Sequence, residues 1–351
     1  MGKIIYFGVC FRRVLEFNIH GVGLRIEGDP ALEGFFKEEY RYFLAESLDK
    51  VDLLIKAVDK VSGSECELVS MREGRKYMVI PFSRLSEDPV VVLYERGLMP
   101  AFVIYMTEPL VTILAARLGL ALIHACCIVD KDRCIVFPSW GGVGKTSIVL
   151  HFMSQGFGYM ADDWVFVGLD GCAYAYPRRI RIYSYNLKAF PWLKKKLKNK
   201  LKFIRMEVMD FFSRKAPWRF ARIAFKKFTP YYSVHADQLF PGCLIPRKKP
   251  ISCVFLMRRG FVEKVSVREV SLDYVVDRVA AAFAFERNYF YQVYLKYLFF
   301  KGSVREIDCL LDRVKEIVSG AFRGKPLYLL DLPKRYDIRE VYETILSYLP
   351  S

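Results

Sequence analysis

Residues 139–146, Ser-Trp-Gly-Gly-Val-Gly-Lys-Thr, constrain the fold of this chain more than any other stretch. They follow a short apolar run, Cys134–Phe137, that ends in Pro138. They precede a segment, Lys145–Gln155, whose apolar spacing is helical and which stops at Gly156. Glycine at 141, 142 and 144 lets the backbone turn its N–H groups inward with no side chain in the way. A helix starting near Lys145 aims its unsatisfied N–H groups and positive dipole end at the same spot. Such a strand, loop and helix cradle a polyphosphate. Gly141, Gly142, Val143 and Gly144 form the wrap and Lys145 reaches the outer phosphates. The Thr146 hydroxyl is placed for Mg²⁺, and Ser147 completes the first helical turn. Ser139 stands where the pattern begins with glycine, which requires a negative φ at that residue. The plain alternative is a glycine-rich connector with a solvated lysine.

Beyond the helix, Phe157–Ala161 leads into Asp162-Asp163, then a third strand, Trp164–Gly168, and an Asp170-Gly171 hairpin turn. One carboxylate beside such a loop can hold the magnesium. A second can accept a hydroxyl proton, helped by the neighbouring like charge, which raises one of the two pKa values. The residues alone leave open which is which. Before the loop, the nearly continuous apolar run Ala121–Val129 reads as a buried strand and carries a single histidine, His124. A lone histidine there is as readily a core residue as a functional one.

These pieces together, Ile123-His124-Ala125, Gly141–Thr146, Gly156-Phe157 and Ala161-Asp162-Asp163, resemble the HPr kinase/phosphorylase family and, more distantly, the ATP-dependent phosphoenolpyruvate carboxykinases. The resemblance implies an α/β fold with a P-loop kinase core of that type and an ATP- and Mg²⁺-dependent phosphotransferase. In it Lys145 and Thr146 meet the phosphates and metal, Asp162 faces the metal, and Asp163, near His124, is the general base toward the acceptor. It also implies a homo-oligomer. The second signature segment of true HPr kinases and the phosphoenolpyruvate-binding arginines have no match here. The resemblance therefore speaks for the reaction and leaves the acceptor, small molecule or protein, unidentified.

Residues 1–105 read as a small strand-rich α+β region, with strands at Lys3–Cys10, Val22–Ile26, Glu67–Val69, Lys76–Ile80 and Pro89–Tyr94 and a helix at Ala31–Leu44. Residues 106–351 read as the kinase-like domain, with a basic insertion at about 178–235. Within it Ile251–Met257 and Pro326–Asp331 are expected strands. Tyr274–Phe300 is an expected long helix, and Ile338–Leu349 a last one.

Charge sharpens that division. Arg178–Lys227 holds 17 Lys or Arg against only Glu207 and Asp210, so +15 of the chain's +16 lies in these residues. Pro191–Arg214 has helical periodicity, with Leu193, Leu197, Leu201, Ile204, Val208 and Phe211 as the expected core face and lysines opposite. Trp192, Trp218, Phe220, Phe225 and Phe228 are interleaved with the cations. An RNA acceptor or RNA-binding role fits that mixture, as does a membrane surface less well, or a solvated cover for the core. A nucleotide-switched ATPase without an acceptor is the third reading.

No run approaches the roughly 18 apolar residues of a membrane span, and the nine cysteines lack metal or redox spacing, so buried thiols in a cytoplasmic protein are expected.

Overall fold

The computed structural model describes residues 14–62, 66–70, 76–197, 199–215 and 231–349. The expected first strand at 3–10 and the aromatic residues at 218, 220, 225 and 228 lie outside them. The protein is mixed α/β, and the chain divides into two units: residues 1–119 with 287–313, and residues 120–286 with 314–351. This differs from a boundary at 105. The helix Pro100–Arg117, with a proline in its first turn, spans that point and belongs with the N-terminal strands.

The first unit carries a seven-stranded sheet in the order Leu44–Ala45, Leu15–Ile19, Val22–Glu27, Leu53–Val58, Val90–Glu95, Met78–Val79, Leu68–Val69. Strict alternation in Leu53–Val58 and a near-alternating Val90–Glu95 bury one face of the central pair. The helix expected at Ala31–Leu44 is shorter, Pro30–Glu39. Asp29 caps it by accepting from Leu32 N, and a 3₁₀ turn then leads into Leu44–Ala45.

The second unit holds an eight-stranded mixed sheet. Its central member is Leu120–Asp130, whose ten residues Leu120–Val129 are all buried. The first half pairs antiparallel with Trp164–Gly168. The second half pairs antiparallel with Arg133–Pro138, the strand before the glycine loop, on one side and Gly158–Ala161 on the other. Arg133–Pro138 then runs parallel to Lys248–Arg259, which runs parallel to Leu327–Leu332. Three parallel strands thus end together, the usual setting for a ligand crevice in an open α/β sheet. Beneath them Phe137 stacks on Phe255 at 5.7 Å and Phe255 on Tyr328 at 5.0 Å. On one face lie the helix Lys145–Ser154 and the C-terminal helix Ile338–Ser347, joined by His151 and Phe152 against Tyr342.

Two expected helices are corrected. Tyr274–Phe300 is not continuous: it is Leu272–Glu286 and Asn288–Lys301, interrupted at Arg287, where the chain passes from the second unit to the first. Pro191–Arg214 is also two helices, Trp192–Leu197 and Lys200–Lys215, and its buried face is another one. Leu193 is buried as expected, but Phe203 and Met206 enter the core while Leu201, Ile204, Val208 and Phe211 face solvent. Cys126, Cys127, Cys134 and Cys253 are buried free thiols.

Candidate functional site

Three segments meet at His124 and Ala125, the point where the central strand changes partners. Ser139 N donates to His124 O at 3.2 Å, and Ala125 N donates to Asp163 O at 3.1 Å. The start of the glycine loop and the aspartate pair are therefore both fastened by backbone to adjacent residues of one buried strand. Sequence order alone spreads these residues over 40 positions; the sheet places them side by side.

The glycine loop has the backbone its composition suggested. Gly142 and Gly144 have φ of 77° and 129°, a region that disfavours any side chain. At Gly144 a Cβ would also collide with the Tyr336 hydroxyl. Ser139 is not among the residues of positive φ, and it bridges in parallel to Met257. Two loop carbonyls accept from side chains of distant elements. Arg259 donates to Gly142 O at 3.4 Å and Tyr336 to Val143 O at 3.4 Å, and the Arg259 guanidinium lies 5.2 Å over the Tyr336 ring. Neither residue was singled out from the sequence, because each lies more than 100 positions from the loop.

Lys145 is buried, with its ammonium 3.0 Å from His124 Nε2, 3.3 Å from Ser139 Oγ and 3.4 Å from Trp140 O. An ammonium can only donate, so Nε2 is the acceptor and the ring proton belongs on Nδ1. Nδ1 faces Glu286 Oε1 at 3.4 Å. Glu286, the last residue of its helix, is a site residue the sequence did not disclose: it sat unmarked within an apparently continuous helix.

Thr146 Oγ1 donates to Asp162 Oδ2 at 3.1 Å. The other carboxylate oxygen, Oδ1, is buried without a hydrogen-bond partner. Burial first, then the charge of Asp163, push the Asp162 carboxyl up to about 8, against the lowering effect of Thr146, Lys145 and Arg181. Asp163 differs. Its side chain is half exposed, and His124 Nε2 stands 3.8 Å from Oδ1. Desolvation would raise its pKa, but the His124 contact and the charges of Lys145 and Arg181 outweigh that and hold it below the usual carboxylate range. One aspartate is thus buried and readily protonated, the other ionised and open.

An orphaned buried carboxylate oxygen next to a hydroxyl suits a hard cation, so Thr146 and Asp162 fit magnesium. Among the described residues no three His, Cys, Asp or Glu side chains form a metal cage. Magnesium bound with substrate phosphates and water does not need one. Ser147 Oγ accepts from Asn186 Nδ2 at 3.4 Å, which ties it to the protein.

Two further features border the loop. A cavity of 690 Å³ is lined by Trp140, Gly141, Gly142, Arg259, Phe261 and Lys334, among others. Past the aspartates, Tyr183 stacks on Tyr185 at 5.6 Å and 9°, and Arg181 lies 5.5 Å over Tyr231. The charges of both aspartates reach Tyr185, whose hydroxyl is raised chiefly by burial.

No protein-family model matches the chain, and no curated protein matches it. Among the described residues no helix is long and apolar enough to cross a membrane.

Proposed function

We propose that the chain is an ATP- and magnesium-dependent phosphotransferase, a P-loop kinase with a core like that of the HPr kinase/phosphorylase family, which moves the γ-phosphoryl group to a hydroxyl acceptor in the cytoplasm. The observation that carries the reading is the pairing of Thr146 with the buried Asp162, whose second carboxylate oxygen has no partner, beside a half-exposed Asp163.

Thr146 and Asp162 would hold the metal, which when bound would supply charge neutralisation to the triphosphate. The loop N–H groups and Lys145 bind and orient the triphosphate. Lys145 must leave His124 Nε2 to do so. Asp163 receives the acceptor's proton, and Glu286 keeps the imidazole proton on Nδ1. The 690 Å³ cavity lies within the size range of small-molecule sites and has room for the nucleoside. The Arg181 and tyrosine cluster is the nearest built surface for an acceptor.

The test is incubation with γ-labelled ATP and extract separated into metabolites, proteins and RNA. Label should enter one fraction and vanish in Lys145→Ala and Asp163→Asn. ATP hydrolysis that persists in Asp163→Asn, with no labelled acceptor in any fraction, would replace phosphotransfer with a nucleotide-switched ATPase.

A further inference from the structure

The helix Lys200–Lys215 has two apolar faces, and only one is used by the fold. Phe203 and Met206 enter the core of the second unit. The adjoining residues fasten it there: Lys202 lies 4.1 Å over the Tyr232 ring, and Lys196 donates to Leu239 O. At about 100° per residue, Leu201, Ile204, Val208 and Phe211 fall within an arc of about 80° on the far side. They are 82%, 57%, 46% and 58% exposed. An aliphatic and aromatic stripe aimed outward along three turns of helix is not scattered surface hydrophobicity.

The charge of the segment's sequence is equally one-sided. The segment's two acids are engaged within it: Glu207 with Lys194 at 2.7 Å and Asp210 with Lys188 at 3.4 Å. Arg205, on the stripe's own helix, and Lys195, on the helix before it, are exposed, and the sequence of Arg178–Lys227 carries a surplus of +15. The occupant must therefore be polyanionic and must also accept Leu, Ile, Val and Phe. A nucleic acid meets the first demand and has nothing for an aliphatic stripe. A bilayer with anionic headgroups over acyl chains meets both, and a basic helix with one wide apolar stripe has the form that lies in such an interface.

We infer that this helix docks the protein on an anionic phospholipid surface, with Leu201, Ile204, Val208 and Phe211 entering the acyl boundary and the cations meeting phosphate headgroups. The helix lies on the membrane; its other face stays packed on the protein. The inference stands independently of the phosphotransferase reading.

The experiment is co-sedimentation of the full chain with phosphatidylcholine vesicles, with and without phosphatidylglycerol. Binding is expected only with phosphatidylglycerol and should weaken with salt. The double substitution Ile204→Glu, Phe211→Glu should lower partitioning by about tenfold or more. The melting temperature and ATP affinity should stay unchanged, because these side chains touch neither core nor loop. No binding to the anionic vesicles, or equal binding to both vesicle types, overturns the inference. So does RNA binding or a dimer in sedimentation velocity that the same double substitution abolishes, since the stripe would then serve that partner.

Discussion

The aspartate–histidine cluster and the basic helix place their costly groups in opposite ways. At the cluster, polar and charged groups are drawn inside: Lys145, His124 and Asp162 are all buried, and Asp162 keeps an oxygen without a partner. Along the basic helix, apolar groups are held outside while Phe203 and Met206 face the core. Burial of an unsatisfied carboxylate and exposure of a Leu-Ile-Val-Phe stripe both work against stability. Each points to a ligand that would relieve it, a cation in the first case and a bilayer in the second.

Substitutions can break this contrast. The largest effect is expected for Lys145→Ala, which removes the cation facing the triphosphate and should cut phosphoryl transfer by about 10²–10³-fold, measured with γ-labelled ATP. Asp163→Asn should lower turnover by about 10²-fold, the lower range for loss of a general base, while leaving ATP affinity nearly unchanged by calorimetry. An equal loss of affinity would reassign Asp163 to binding. Gly144→Ala forces a side chain to a φ of 129° and against Tyr336. It should cost about 1–3 kcal/mol in denaturant unfolding, and an undiminished midpoint would mean the loop has another shape.

Asp162 supplies a pH test. Its folded-state pKa, about 8, lies above the unfolded value near 4. Between those values the unfolded state has lost the proton that the folded state keeps, so stability falls as pH rises through that window and levels off above it. In magnesium-free buffer Asp162→Asn should flatten that decline in melting temperature. A variant that declines as steeply as the parent would show that Asp162 is not the group responsible. The smallest effect is expected for Leu201→Gln, within about 0.5 kcal/mol of the parent by chemical denaturation. A larger loss would place the stripe inside the fold after all.

The strand, loop, helix and strand from Leu120 to Gly168 were legible nearly to the residue. Apolar runs there are continuous, and Pro138, Gly156 and the Asp170-Gly171 turn punctuate them. The residues converging on His124 were legible through their resemblance to a known pattern, but Glu286, Arg259 and Tyr336 were not. They reach the loop from distant elements, and nothing in their local sequence distinguishes them from surface charge or core aromatics. The basic helix failed differently. Its 3.6-residue period identifies an apolar stripe, yet Phe203 and Met206 form a second apolar set on the same helix. Period alone does not say which set the neighbouring elements will cover. The division at Arg287 escaped for a related reason: both halves are helical, and only the sheets they join separate them.

The outside grip on Gly142 and Val143 by Arg259 and Tyr336 makes the far end of the chain a partner in whatever the glycine loop does. With two of its carbonyls fixed by these side chains, the loop does not first have to be organised by an arriving guest. A protein missing everything from Tyr336 onward would keep the whole signature that draws the eye in the sequence, yet its loop would have lost one of these two supports.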